Sequence, residues 1–489
     1  MDTQPSLKKT VISSLVWKFL ERLGTQGIQF VVSIILARLL LPSDYGIITM
    51  IMVFTAIANS FIQSGFSTSL IQKKNSDELD FSSVLYTSFV IAIICYLILY
   101  FTSPLIADFY QMPQIKVILR VLALTLFFGA FNSVQNAKLS KDMKFKTLFF
   151  SSLGAIIVSG TTGITMAYLG FGAWALVGQQ LANIIASTII LWFTSGWRPK
   201  IMFSLTRVKG LFSYGWKIMC SSLIDTFYQN LYNLVIGKFY NSATLGNYNK
   251  GEQFPKLIAV NIDGAIGSVM LPAYAREQER KDKVKKMVRR AIVTSSLILF
   301  PLMLGLAAIA EPLVKILLTD KWLGCVPFMQ ILCVVYALYP INTANLQAIK
   351  ALGKSDYFLK LEIIKKILGI TVLIITVPHG VYIMAIGQVI VTIISTMINA
   401  FPNRKLLNYN YFEQVKDILP NLLIAILMFI VVYPIKYLID NTILLLTIQI
   451  IVGAIIYIAL MNIFKVEAFN YLFDIIKKRF KKNKEVENE

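Results

Sequence analysis

Charge is scarce in this sequence. Only 15% of the 489 residues are Asp, Glu, Lys or Arg, against about 25% in a soluble globular protein, while 56% are apolar. That balance excludes a water-soluble protein. Histidine is nearly absent, with His379 alone in a short solvated turn. The four cysteines, Cys95, Cys220, Cys325 and Cys333, have no metal-ligand spacing, so free thiols are expected rather than a disulfide framework. Catalytic motifs are missing as well. There is no G-x-x-x-x-G-K-[ST], no G-x-S-x-G, no H-E-x-x-H and no loop large enough for a nucleotide-binding domain, so ATP hydrolysis by this chain is not expected.

What the sequence has in abundance is long apolar runs. A helix needs roughly 20 residues to cross about 30 Å of hydrocarbon, and fourteen such runs follow one another, from Ser13–Leu41 to Ile443–Phe464. Lipid leaves unpaired backbone without partners, and the runs lack the alternation of barrel strands, so the expected fold class is an all-α integral membrane protein with about 14 transmembrane helices. Lys and Arg crowd alternate breaks. The breaks assigned outside hold only Lys116, Lys315, Lys321 and Lys436, which puts both termini on the cytoplasmic side of a multi-pass protein. The first run carries Glu21 and Arg22 and is too long for a signal-peptide core, so it is expected to be kept. The net charge of +21 concentrates in breaks such as Arg276–Arg290 and in the tail Lys477–Lys484. These read as topology determinants and contacts to anionic membrane lipids; no motif or interleaved aromatics supports nucleic acid.

A weak internal repeat runs at an offset near 200. Trp17-Lys18 matches Trp216-Lys217, Ala37-Arg38 matches Gly237-Lys238, Gly46 matches Gly246, and Gln135–Lys138 matches Gln347–Lys350 at a slightly larger offset. The order is preserved throughout. The expected organisation is an N-lobe over residues 1–207, a C-lobe over 208–402, two further helices over 403–466 and a basic cytoplasmic tail over 467–489. The two six-helix lobes would be parallel repeats around a central cavity, an arrangement found among transporters.

Ionisable groups inside the runs cost roughly 2.5 to 3.5 kcal/mol each on insertion scales, so each needs a cavity, a partner or an interface. They are Lys18, Glu21 and Arg22 in the first run, Lys217 and Asp225 in the seventh, and Lys250, Glu252, Lys256 and Asp263 in the eighth. Glu252, Lys256 and Asp263 fall on one helical face. The eighth run's repeat counterpart, Tyr45–Ile71, has no charge. Asp225 and Asp263 lie too deep to snorkel and are expected to line a cavity, paired with a lysine or serving as a proton or sodium site.

The opening from Ser13 to Phe19 and from Ile35 to Gly46, together with Ile236–Phe254 and Leu271–Tyr274, resembles the Wzx-type polysaccharide exporters of the multidrug/oligosaccharidyl-lipid/polysaccharide superfamily, in its colanic or teichuronic acid branch. One departure is Lys250-Gly251, where the resemblance calls for a basic residue followed by alanine. The resemblance implies a flippase in the bacterial cytoplasmic membrane that carries an undecaprenyl-diphosphate-linked oligosaccharide to the outer leaflet by alternating access, with no enzyme activity. Arg22, Lys217, Lys250, Lys256 and Lys18 are then the candidate contacts to phosphate or anionic sugar. Asp225, Asp263, Glu252 and Glu21 are the candidates for proton or sodium coupling. No cofactor is implied; the implied partners are the lipid-linked substrate, membrane lipids, and the polysaccharide polymerase and chain-length machinery. Two rivals stand beside this reading: a cation-coupled drug antiporter of the same superfamily and an integral-membrane polysaccharide polymerase.

Overall fold

The computed structural model describes residues 7–63, 65–466 and 469, so nearly all of the basic tail lies outside the described residues. Every long element among them is an α-helix, and there is no strand. In chain order these are α1 (Leu7–Leu39), α2 (Pro42–Gln63), α3 (Phe66–Gln72), α4 (Glu78–Tyr110), α5 (Gln114–Leu122), α6 (Thr125–Lys141), α7 (Phe145–Tyr168), α8 (Ala173–Thr194) and α9 (Leu205–Phe239). There follow α10 (Ser242–Arg276), α11 (Lys281–Ala308), α12 (Ala310–Leu318), α13 (Val326–Ala337), α14 (Tyr339–Ala351), α15 (Ser355–Thr376), α16 (Val381–Leu406), α17 (Tyr411–Val432) and α18 (Thr442–Ile463).

Eleven stretches among the described residues are long and apolar enough to cross a membrane. α1, α9 and α15 are not among them, although they run to 33, 35 and 22 residues. Polar and charged residues keep them out: α15 carries Asp356, Lys360, Glu362, Lys365 and Lys366, of which Lys365 and Glu362 pair at 2.6 Å. Three of the expected crossings are broken rather than continuous. The one over Tyr45–Ile71 is divided between α2 and α3. Gln114–Lys141 bends between α5 and α6 at Ala123–Leu124, and the crossing ending at Ala351 bends at Leu338, where Pro340 enters the first turn of α14 and removes a backbone donor.

The chain divides into two compact units, up to Gly246 and from Asn247. In the first, α1 packs on α7, α7 on α8, and α9 on α2, α3 and α4. One end of this unit, around the start of α4, is tied by ions. Asp77 caps α4 in a reciprocal box with Asp80, whose fully buried carboxylate accepts Lys73 at 2.7 and 2.6 Å. Arg207 on α9 reaches Asp77 at 3.4 Å, and Trp197 donates to Glu78 at 3.0 Å. The backbone N–H of Asp80, with Arg207 and Lys73 adding attraction, holds the Asp77 carboxyl below the usual carboxylate range.

The second unit has ion pairs as well, with Lys285 to Glu413 at 2.8 Å and Arg289 to Asp417 at 3.0 Å between α11 and α17, and adds amides to them. Helices in lipid gain little from burying apolar surface, so packing and interhelical hydrogen bonds hold them. Asn345 on α14 exchanges bonds of 2.8 and 3.0 Å with Gln414 on α17, and Asn403 on α16 donates to Asn345 at 2.7 Å. Asn421 joins α17 to Ser296 of α11 at 2.8 Å, while Tyr457 joins α18 to the Leu297 carbonyl at 2.7 Å.

Candidate functional site

α10 carries four of the nine charged residues singled out above, and its backbone explains how. Pro255 leaves the Gly251 carbonyl without its helical donor, yet the helix runs on from Ser242 to Arg276. At Gly251 itself the helix presses directly on its neighbours: a β-carbon there would stand 2.7 Å from the Cys325 carbonyl oxygen and 2.9 Å from the Met329 nitrogen. Both are backbone atoms that cannot rotate away. The departure from alanine at position 251 therefore has a steric cause, and it brings the flanking charges against α13.

Those charges separate by face. Lys250 is buried, with 3% of its surface exposed and its ammonium 5.6 Å from the Trp322 ring. Glu252, two residues on and about 200° round the helix, looks elsewhere. Its Oε1 accepts a 2.6 Å hydrogen bond from the Tyr336 hydroxyl of α13 and lies 3.3 Å from the Lys256 ammonium. Tyr336 is buried and its ring packs on Tyr339 at 4.7 Å. Lys256 keeps 54% of its side-chain surface exposed. The arrangement is an open cation on a braced carboxylate: the hydroxyl fixes Glu252, Glu252 fixes one side of the ammonium, and the remaining donors of Lys256 are available.

Further along α10, the partly buried Asp263 sits beside Thr343 of α14. Its Oδ1 has no hydrogen-bond partner among the described residues, and neither does the buried Oε1 of Gln347. Gly267, one turn further along α10, faces the same side of α14: a β-carbon there would make ordinary contact with Gln347 Nε2 at 3.4 Å and Thr343 Cγ2 at 3.6 Å. Asp263 thus lies among polar groups rather than against acyl chains.

In the first unit, Lys18 and Glu21 pair on α1 at 2.7 Å, and Lys18 lies 5.8 Å from the Phe145 ring. Arg22 is exposed on the same helix, and Lys217 and Asp225 are exposed on α9. Of the nine residues singled out, the structure joins two pairs, Lys18 with Glu21 and Glu252 with Lys256. It sets Lys250 apart from the second pair. Tyr336, Thr343 and Gln347 were invisible to a search for charge in apolar runs, because uncharged polar residues there look like ordinary interhelical packing.

Comparison with known proteins follows the same line. Residues 35–327 match the family described as Polysaccharide biosynthesis protein. The teichuronic acid biosynthesis protein TuaB of Bacillus subtilis is 23% identical over 354 residues, covering 72% of this chain and 73% of TuaB. The lipopolysaccharide biosynthesis protein WzxC of Escherichia coli is 23% identical over 399 residues, covering 81% of each chain. Among solved structures, the lipid II flippase MurJ in an inward closed conformation superposes with a TM-score of 0.75 at 17% identity, covering 93% of this chain and 98% of MurJ. An inward-facing multidrug resistance MATE transporter of the MOP superfamily gives 0.62 at 16% identity, covering 81% and 98%. These two share its fold. With more than half of its length inside the family match, and with the long apolar helices and braced charges just described, the chain belongs to the polysaccharide biosynthesis protein family.

Proposed function

We propose that this protein is a flippase that moves an undecaprenyl-diphosphate-linked oligosaccharide from the cytoplasmic to the outer leaflet of a bacterial cytoplasmic membrane. The observation that carries the reading is the Tyr336–Glu252–Lys256 arrangement: a cation kept open on a helix long enough to cross the bilayer. A diphosphate and its sugars are too polar to cross hydrocarbon unaided, and an ammonium with unused donors replaces part of the water they lose. Lys256 is the leading contact, with Arg22, Lys217 and Lys18 as further cationic groups along the route and Lys250 as a buried support. Asp263, with an unpartnered oxygen, is the leading candidate for coupling to protons or sodium, ahead of Asp225 and Glu21.

In this reading α1, α9 and α15 also cross, which makes fourteen crossings with both termini cytoplasmic. Residues 1–207 and 208–402 act as two repeats that rock about a shared axis, and residues 403–466 add two helices. The relatives' names support a role in polysaccharide assembly, and the flippase and transporter folds support movement rather than bond-making. The MATE likeness favours one second reading, export of a hydrophobic cation. Deleting the gene in its native host and identifying the lipids that accumulate separates the two. The flippase reading expects an undecaprenyl-diphosphate saccharide confined to the inner leaflet; unchanged lipid-linked saccharides together with sensitivity to hydrophobic cations would overturn it.

A further inference from the structure

α2 touches its neighbours backbone to backbone at both of its ends. At the start of the helix the contact is reciprocal. A β-carbon on Gly46 would stand 1.8 Å from the carbonyl oxygen of Ser242, and one on Gly246 would stand 1.9 Å from the carbonyl oxygen of Pro42. Each helix's first residue meets the other helix's glycine, four residues along. At the far end, where α2 gives way to α3, the same thing happens against α9. A β-carbon on Gly65 would lie 3.0 Å from the Gly215 carbonyl oxygen, and one on Gly215 would lie 2.6 Å from the Gly65 carbonyl oxygen. Ser69 donates to the Leu211 carbonyl at 3.0 Å in the same place.

Between the two ends the seam is lighter. Ser60 and Thr226 share a hydrogen bond of 3.0 Å, and the Gly237 position faces the flexible side chain of Met50. Gly46 and Gly65 are separated by 19 residues, which at helical rise would span about 28 Å, close to the thickness of the hydrocarbon layer. A membrane-crossing length of chain therefore separates the two glycine contacts. At Gly46, Gly246 and Gly215 the contact falls below 3.0 Å to backbone oxygen and cannot be relieved by turning a side chain, so each end has at least one glycine that must lack a β-carbon to close; Gly65, at 3.0 Å, is tight but needs its neighbour to give only a few tenths of an ångström.

We propose that the two glycine pairs are opposed gates: Gly46 with Gly246 closes the outer end of the seam, Gly65 with Gly215 closes the inner end, and the structure has both shut. This rests on the transporter reading for its purpose, but not for its test. A methyl group at either end disfavours the closed form of that end alone. Alanine at Gly46 or Gly246 shifts the population toward an outward opening, and alanine at Gly65 or Gly215 shifts it inward. An equal effect at both faces would instead mean loosened packing.

The test places one reporter cysteine, Ser60→Cys, in a background with Cys95, Cys220, Cys325 and Cys333 replaced by alanine. Full-length protein in right-side-out and inside-out vesicles is labelled with a membrane-impermeant maleimide. G46A and G246A are expected to raise labelling from outside about tenfold, the equivalent of roughly 1.4 kcal/mol, with little change from inside; G215A is expected to do the reverse, and G65A to do so to a smaller extent. Increases of equal size from both faces, or no increase at all, would overturn the proposal. Where an alanine variant does not fold, spin labels on glycine-intact protein at Leu41 with Asn241 and at Lys74 with Lys209 report the same two ends. A long-distance population at one pair while the other stays short supports opposed gates; both pairs long together, or neither pair ever long, counts against them. Sided labelling in a protein that moves no lipid-linked saccharide would retire the transport reading and leave the gates standing.

Discussion

α2 and α10 begin alike and then diverge. Each follows a long helix that ends near the same repeat position, Leu39 or Phe239, and each presents a glycine four residues into its first turn. Beyond that turn α2 is uncharged and spends its surface on close contact, with Met50, Ile51, Val53 and Ile62 buried. α10 carries Lys250, Glu252, Lys256 and Asp263 and needs partners for each. Helices that begin alike need not share duties. One seals, the other handles charge, and the cost of burying ions is confined to the helix whose neighbours supply Tyr336, Thr343 and Trp322.

The comparison breaks most visibly at Lys256. Lys256→Gln keeps the length of the side chain but removes the charge. Losing a hydrogen bond to a charged group of about 1.5 to 3 kcal/mol should lower saccharide export roughly 10- to 100-fold, read as surface polysaccharide in a complemented deletion strain. Gly251→Ala comes next. With two backbone atoms inside 3.0 Å of the new methyl, unfolding in detergent should lose about 1 to 3 kcal/mol, seen as a lower thermal midpoint. An unchanged midpoint would mean that α10 is not pinned at this position.

Smaller effects sharpen the picture. Tyr336→Phe deletes one hydroxyl and leaves the ring. It should weaken binding of farnesyl diphosphate by about 1 kcal/mol, roughly fivefold, with little effect on maximal export; a fall in maximal export at unchanged binding would argue against a bracing role for Tyr336. Ser60→Ala, which removes a hydroxyl pair between the two glycine contacts of the α2–α9 seam, should cost only about 0.6 kcal/mol of stability in detergent. Smallest is the pH response of Asp77. Its folded carboxyl titrates below the unfolded value of about 3.9, so its contribution is present above that pH and lost as the pH falls through the folded value. The thermal midpoint of the native protein should therefore approach that of Asp77→Asn below pH 4.

Much of this fold can be read from hydropathy alone, because lipid makes apolar length a direct requirement. The all-helical fold followed, as did the matching positions of Gly46 and Gly246; the helix starts at Pro42 and Ser242 lie three residues before the apolar runs begin. The bends at Ala123–Leu124 and Leu338 did not, since an apolar run reads the same whether the helix through it is straight or broken. Gly251 looked like a minor departure until its neighbours were known; only the three-dimensional path of α13 shows that no β-carbon fits. For the site, charge marked Glu252 and Lys256 correctly as neighbours one turn apart. It also ranked Lys250 with them, whereas the structure turns Lys250 toward Trp322. Tyr336 left no mark in the sequence because a tyrosine in an apolar run is expected at any interface.

The central claim, that an anionic lipid-linked saccharide crosses by way of Lys256, is tested most directly in proteoliposomes. Purified protein would be reconstituted with the undecaprenyl-linked lipid extracted from the deletion strain, and the fraction of saccharide exposed on each leaflet followed with an impermeant sugar-modifying reagent. The account expects rapid exchange with the native protein and slow exchange with Lys256→Gln at equal protein content. Equal rates for the two proteins, or no exchange above empty vesicles, would contradict it.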